Sequence, residues 1–203
     1  MIRAVIWDLG GVLVRTEDSR SREDLARRSG KTRRELEDLV FGLEAGRRAQ
    51  LGELSHAEHW EYLRQYFHYT PEEIQAFRLD FFRGDRLDHD LIDYIRSLRG
   101  RCKTGLLSNA FSDLRHLVTE VWNIADAFDE MIISAEAGIM KPDPRIYHLA
   151  LSRLGVEPQE AIFIDDFAHN VDGARAVQMH AIHFKNPAQA RAELEALLNG
   201  DRA

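Results

Sequence analysis

A single cysteine, Cys102, stands in 203 residues, so no internal disulfide can staple this chain. Lying beside a predicted strand, Cys102 reads as a small buried thiol, and a reducing, cytoplasmic setting is the expectation. An excess of positive charge is also missing: 27 Lys+Arg stand against 34 Asp+Glu, a formal net charge of −7. Without a basic face, recognition of nucleic acid is not expected. No uninterrupted apolar run approaches the ~20 residues that span a bilayer, so no membrane partner is expected either. The opening Met1-Ile2-Arg3 and the apolar stretch after it are broken by Asp8, with no small-residue cleavage pattern before the next charged region. That start does not read as a secretory signal. Internal repeats and low-complexity segments are lacking. What is there is 44% hydrophobic and 30% charged, enough for one good core and a small second lobe, but too little for two full-sized domains.

Short apolar runs recur along the chain. Arg3–Trp7, Lys103–Leu107, Met131–Ser134, Ala161–Ile164 and Ala181–Phe184 read as buried strands, with helices around Asp90–Leu98, Ser112–Trp122, Pro144–Leu154, Asn170–Gln178 and Pro187–Leu198. Such alternation predicts an α/β fold, a Rossmann-like parallel sheet with helices on both faces. Gly155 after one helical pattern and Asn186-Pro187 before another mark boundaries. One interval breaks the alternation. From about Thr16 to Arg83 no convincing strand is found, whereas Thr32-x-x-Glu35, Ser55-x-x-Glu58 and Thr70-Pro71-x-Glu73 read as capping boxes opening helices. Bulky groups fall on one face of each of the last two: His59, Trp60, Leu63 and Phe67, then Ile74, Phe77, Phe81 and Phe82. The expected division is a core of residues 1–15 and 84–203 and an all-helical insert of residues 16–83, placed as a lid over the end of the first strand.

Four polar clusters follow the predicted strands. Asp8 ends Ala4-Val5-Ile6-Trp7 and runs into Leu9-Gly10-Gly11, which presents a carboxylate at the open carboxyl edge of a sheet, where ligands of α/β proteins sit. Read alone, such an Asp caps a turn as readily. Leu107 is followed by Ser108-Asn109, whose hydroxyl, amide and backbone N–H groups can hold an anion's oxygens, though a Ser/Asn pair also simply starts a loop. Lys141-Pro142-Asp143-Pro144 offers an ammonium beside stiffened backbone. Asp165-Asp166 ends Ile162-Phe163-Ile164; two adjacent carboxylates repel, and a divalent cation is the usual remedy. All four stand at carboxyl ends of parallel strands, so they converge on one crevice.

Taken in order, DLGGVL at Asp8, LLSNA at Ser108, KPDP at Lys141 and IDD with the trailing NVDGA at Asp165-Asp166 resemble the four motifs of the haloacid dehalogenase superfamily, and the helical insert sits where that superfamily places its cap. The resemblance covers nearly the whole chain. It implies a metal-dependent phosphatase of phosphatase type with a helical cap, in which Asp8 attacks phosphorus and forms an aspartyl-phosphate. It further implies Mg²⁺ held by Asp8, the Gly10 carbonyl, Asp166 and Asp165, the last direct or through water. Ser108, the amides near Asn109, and Lys141 would hold the phosphate oxygens. The implied substrate is a small phosphorylated metabolite, with a sugar phosphate favoured, and the implied assembly is a monomer or small homo-oligomer.

One position departs from the superfamily's phosphatases, which usually carry a second Asp two residues after the nucleophile as proton donor and acceptor. Gly10 stands there. General acid–base catalysis is typically worth ~10²–10⁴-fold, so the substitution argues against a phosphomutase and leaves a weakened binding or regulatory module as the alternative from another class. A dehalogenase of the superfamily would also lack that Asp, but it needs no metal, and Asp165-Asp166 looks built for one. Among the histidines, His56-x-x-His59 could hold zinc if a third ligand were near; packing or surface roles are the simpler reading. His169 follows the Asp pair and stays without an assigned role.

Overall fold

The computed structural model describes residues 1–200; residues 201–203, the end of the expected core segment, lie outside the described residues. In chain order come β1 (Ala4–Trp7), β2 (Val14–Thr16), α1 (Arg20–Arg28), α2 (Arg33–Glu37), α3 (Glu44–Gln50), α4 (His56–Tyr66) and α5 (Pro71–Phe82). Then follow β3 (Asp85–Leu87), α6 (His89–Ser97), β4 (Lys103–Ser108), α7 (Leu114–His116), β5 (Glu130–Ile133) and α8 (Ser134–Ala137). The chain closes with α9 (Pro144–Leu154), β6 (Ala161–Asp165), α10 (Ala168–Ala176), β7 (His180–His183) and α11 (Pro187–Asn199).

β1 is buried along its whole length, as a strand apolar on both faces must be when helices cover both sides of a parallel sheet. It takes the centre of a five-stranded sheet ordered β5-β4-β1-β6-β7, paired in parallel with β4 and β6. Alternate residues of β1 enter opposite layers. Val5 and Trp7 pack with Leu91, Ile92 and Ile95 of α6 and with Ala190 and Leu194 of α11. Ala4 and Ile6 meet Ile146, Tyr147 and Leu151 of α9. All five expected strands are present, within a residue or so of their expected ends. The helix expected over Ser112–Trp122 is regular only as α7, after which its last turn widens through Leu117–Val121.

Between β2 and β3 the chain is helical, and the three capping boxes are formed: the Thr32, Ser55 and Thr70 side chains accept the backbone N–H of Glu35, Glu58 and Glu73. The helices enclose their own apolar cluster around Leu36, Trp60, Leu63, Phe77 and Phe81, which also takes in Phe111 from the loop after β4. Sequence reading misses the two short strands that bracket this insert. β2 and β3 pair antiparallel, Val14 with Leu87 and Thr16 with Asp85, but three residues are too few to display a period. Arg22, buried at the root of the insert, donates to the Phe81 carbonyl at 3.1 Å, to Glu37 at 2.9 Å and to both Asp85 oxygens at 3.0 Å, tying three helices to this ribbon. Among the described residues no helix is long and apolar enough to cross a membrane.

Candidate active site

The register that pairs Trp7 with Leu106 and Ile164 sets Asp8 level with Leu107 on one neighbouring strand and Asp165 on the other. Between the two carboxylates lies the Lys141 ammonium, with Nζ 2.7 Å from Asp8 Oδ1 and 2.7 Å from Asp165 Oδ2. Nζ also donates to the Leu107 carbonyl at 3.0 Å. An ammonium has three N–H donors, and these acceptors account for all of them. Lys141 is 2% exposed and Asp165 0%; a lysine so buried stays charged only when paired. Burial works against that charge, but Asp8 and Asp165 outweigh it and hold the Lys141 pKa above the ordinary lysine value.

The loop carrying Lys141 is itself held on two sides. The Asn109 side chain forms a two-way clamp on the Lys141 main chain, its amide donating to the carbonyl at 2.9 Å and its oxygen accepting the N–H at 2.8 Å. The Asn109 oxygen and one of its two amide N–H donors are thus engaged with Lys141, which leaves its second N–H, the Ser108 hydroxyl and main-chain N–H groups of this loop as donors for an anion. On the other side, Gly173 of α10 approaches so closely that a Cβ there would stand 3.0 Å from Pro142 Cβ and 2.9 Å from the Tyr147 hydroxyl. Tyr147 in turn donates to the Asn170 carbonyl at 2.8 Å. The Lys141–Pro142 bond is cis. Ser108 is buried at the end of β4.

Asp165 and Asp166 are adjacent in sequence but differently placed. Asp165 accepts from Lys141, from the Phe167 N–H at 2.8 Å and from the Asn170 amide at 3.1 Å to each oxygen, so its lone pairs are well used inside the protein. Asp166, by contrast, has a buried Oδ1 with no hydrogen-bond partner. Carboxylate oxygens of Asp8, Asp165 and Asp166 lie within 4.8 Å of one another, the sole such metal-ligating group among the described residues. Gly11 permits this: its φ is +78°, and a Cβ there would fall 2.1 Å from Asp166 Oδ2. An oxygen-only donor set with one orphaned carboxylate oxygen fits a hard divalent cation such as Mg²⁺.

The same crowding shifts the acids. Burial pushes Asp8 up to about 7, with Lys141 opposing and Asp165 adding to the rise. Burial and then Asp165 push Asp166 up to about 6. Both native values exceed the ordinary 3.8, so between about pH 4 and pH 7 the native state holds protons that the unfolded chain has released, and stability falls as pH rises through that window. Metal ligands must be deprotonated to bind. Mg²⁺ is therefore expected to raise the melting temperature more at pH 7.5 than at pH 5, and Asp166→Ala to shrink that rise. Equal Mg²⁺ shifts at both pH values in thermal melts would contradict this account.

Residues beyond the sequence-level set also shape the site. Asn170 orients Asp165, and Ser134 Oγ accepts the Ala110 N–H at 3.0 Å, bracing the loop after β4. The Asn of the trailing NVDGA was the available signal for the first; nothing local marks the second. His183 approaches the Asp166 carbonyl at 2.9 Å. His56 and His59 do not assemble a metal site: the Trp60 N–H lies 2.7 Å from His56 Nε2, Asp113 is 3.2 Å from it, and His59 is buried against Phe111. His169 lies with its ring 5.4 Å from that of Phe167. At Gly10 the space that a Cβ would enter is open for 4 Å.

A five-stranded parallel sheet with Asp8 at the end of its central strand, a lysine-bridged acid pair beside it and a helical insert define the class of the fold. The chain belongs to the haloacid dehalogenase-like hydrolases, whose family model matches residues 2–178. Over its full extent it is similar to D-ribitol-5-phosphate phosphatase of Bacteroides thetaiotaomicron, 27% identical over 219 residues, covering 98% of this chain and 100% of the relative. A shorter match, 48% identical over 71 residues, is to Acyl-CoA dehydrogenase family member 10 of Mus musculus; it covers 35% of this chain and only 7% of that much longer protein. In fold, the chain is similar to the HAD family enzyme bt-2542 of Bacteroides thetaiotaomicron, solved in complex with magnesium and inorganic phosphate, with a TM-score of 0.76 at 21% identity over 92% of this chain and 96% of that one.

Proposed function

We propose that this hydrolase is a Mg²⁺-dependent phosphatase of a small phosphorylated metabolite. The observation that carries the reading is the orphaned Asp166 oxygen beside an Asp8 carboxylate that a buried lysine holds in place. Similarity over the full chain to a phosphatase of a sugar-alcohol phosphate supports it, and a sugar phosphate remains the favoured substrate. Residues 1–15 and 84–203 would form the catalytic core and residues 16–83 the cap.

Asp8, the Gly10 carbonyl and Asp166 would hold the cation, with Asp165 behind them through water. When bound, Mg²⁺ neutralises the repulsion between a carboxylate nucleophile and a phosphate dianion. Asp8 attacks phosphorus; the new bond is Asp8 oxygen to phosphorus, and the bond that breaks is phosphorus to the ester oxygen, which leaves with the electron pair. Ser108, main-chain N–H groups near Asn109, and the charge of Lys141 stabilise the phosphoryl oxygens. Water then cleaves the aspartyl-phosphate, releasing inorganic phosphate and restoring Asp8. Release of phosphate from a panel of phosphorylated metabolites with and without Mg²⁺ tests the proposal. Failure of every ester, p-nitrophenyl phosphate included, to react in the presence of Mg²⁺ would overturn it.

Gly10 leaves the departing oxygen without a positioned acid, a handicap for alkoxides and a small one for phenolates, which leave unaided. Its backbone is not in the left-handed region and its Cβ position is open, so a side chain fits. Gly10→Asp is expected to speed sugar phosphate hydrolysis by up to ~10²-fold, the lower end of acid catalysis, with little change on p-nitrophenyl phosphate. Equal effects on both substrates in a folded variant would count against a leaving-group role.

A further inference from the structure

The segment from Ser108 to Asp113 is held by two different parts of the molecule. Core groups fix its first half. Ser108 ends β4, the Asn109 side chain clamps the Lys141 main chain at 2.9 and 2.8 Å, and the Ala110 N–H donates to Ser134 Oγ at 3.0 Å. The helical insert fixes its second half. Phe111 is buried in the insert's own apolar cluster, its ring 5.8 Å from that of Phe41 and 4.8 Å from that of His59. Ser112 Oγ accepts the main-chain N–H of His56 at 3.3 Å, and Asp113 Oδ2 lies 3.2 Å from His56 Nε2. One short loop therefore joins the residues proposed to hold phosphate to the first turn of α4.

The contact at His56 contains a conflict. Its Nε2 has two neighbours, the Trp60 indole N–H at 2.7 Å and the Asp113 carboxylate at 3.2 Å. An indole N–H only donates and an ionised carboxylate only accepts. An Nε2 that accepts from Trp60 turns its lone pair on Asp113, and an Nε2 that carries a proton serves Asp113 but opposes the Trp60 N–H. It satisfies one neighbour at a time. Protonation of the ring removes the accepting state altogether and adds an ionic attraction to Asp113. Each abandoned neighbour has an alternative. Asp113 Oδ2 is also 3.9 Å from the Arg78 guanidinium, and His56 and Trp60 both line a cavity of about 300 Å³ between α4 and α5 that is roomy enough for water.

The charged or titratable groups facing His56 are His59 on its own helix, Arg78 of α5 and Asp113 of the core loop. Burial holds the His56 pKa below the ordinary histidine value, with Asp113 opposing that fall and Arg78 adding to it. We propose that His56 is a positioning residue whose protonation transfers Nε2 from Trp60 to Asp113, so that acid pH fastens the insert to the loop that follows Ser108 and neutral pH slackens the tie. Where it concerns turnover the inference rests on the phosphatase reading; the tie itself does not.

The test is an NMR titration of the full chain from pH 8 to pH 5 for wild type, Asp113→Asn and His56→Gln. It follows the histidine ring nitrogens, the Trp60 indole N–H and the backbone amides of Asn109 and Ala110. The Trp60 signal should move with the His56 midpoint, and both amides should carry a component with that same midpoint. Asp113→Asn keeps the shape and removes the charge. His56 should then lose about 2- to 5-fold in proton affinity, the worth of a partly exposed ion pair, and the indole and amide components should follow it to lower pH. His56→Gln should abolish those components. With Mg²⁺ and p-nitrophenyl phosphate, kcat/KM of Asp113→Asn relative to wild type should be near one at pH 8 and fall by about 2- to 5-fold at pH 5. A Trp60 signal indifferent to His56, or equal His56 midpoints in wild type and Asp113→Asn, would overturn the exchange of partners. Amides without the His56 component, or a kcat/KM ratio flat with pH, would overturn the positioning role. A wild type inert on every ester, with the NMR components in place, would instead remove the phosphatase reading and leave the tie standing.

Discussion

Asp8→Asn is expected to abolish phosphate release while leaving the fold in place. The amide is nearly isosteric with the carboxylate, yet it is not a nucleophile and is a poor ligand for magnesium. Removing the group that forms the covalent bond costs on the order of 10³-fold or more in comparable enzymes. The structure explains why the fold should survive. Lys141 keeps Asp165 at 2.7 Å and the Leu107 carbonyl at 3.0 Å, and the asparagine oxygen can still accept its remaining N–H. Circular dichroism and a thermal melt would confirm folding. More than a few percent of wild-type turnover in the folded variant would remove Asp8 from the nucleophile's role.

A second large effect is expected at Lys141. Lys141→Ala leaves Asp8, Asp165 and Asp166 clustered within 4.8 Å with no cation inside the protein to oppose them. Breaking a buried ion pair from one side typically costs about 3–5 kcal/mol, and the missing stem adds a cavity. Without divalent metal at pH 7.5, the urea midpoint should fall steeply, and turnover should collapse even at saturating Mg²⁺. The sign of the pH dependence follows. Lowering the pH toward 5 protonates the crowded acids, which removes the repulsion and narrows the gap between variant and wild type. Lys141→Met, apolar and of similar length, separates the charge from the cavity and should retain most of the deficit. A wild-type midpoint for Lys141→Ala at pH 7.5 without metal would contradict a buried triad.

Much of this architecture was legible before any coordinates. Buried strands announce themselves as apolar runs, and in Ala4-Val5-Ile6-Trp7, Ala161–Ile164 and their neighbours those runs are long enough to read and to order. Each of the three capping boxes of the insert is a local bargain between two side chains and two N–H groups four residues apart at most, and local bargains are visible locally. For the same reason Asp8, Ser108 and Asp165-Asp166 could be picked out as strand-end residues, since strand ends of a parallel sheet meet on one edge whatever the sheet order, whereas Lys141 lies beyond α8 and was marked by the prolines beside it.

Other features belong to tertiary structure alone. The order β5-β4-β1-β6-β7 decides that Lys141 falls between Asp8 and Asp165, because only pairing across strands brings those two distant residues to one ammonium. The turning of the Asn109 side chain onto Lys141 depends on how two loops cross, as does the difference between a fully engaged Asp165 and an Asp166 with an orphaned oxygen. β2 and β3 form because a ribbon must carry the chain into and out of the insert, and three residues apiece leave no pattern to find. The sequence alone therefore determined which chemical groups this protein carries to its strand ends, through short-range propensity and apolar runs. Their pairing, their protonation and the shape of the space above them were decided only when distant segments packed.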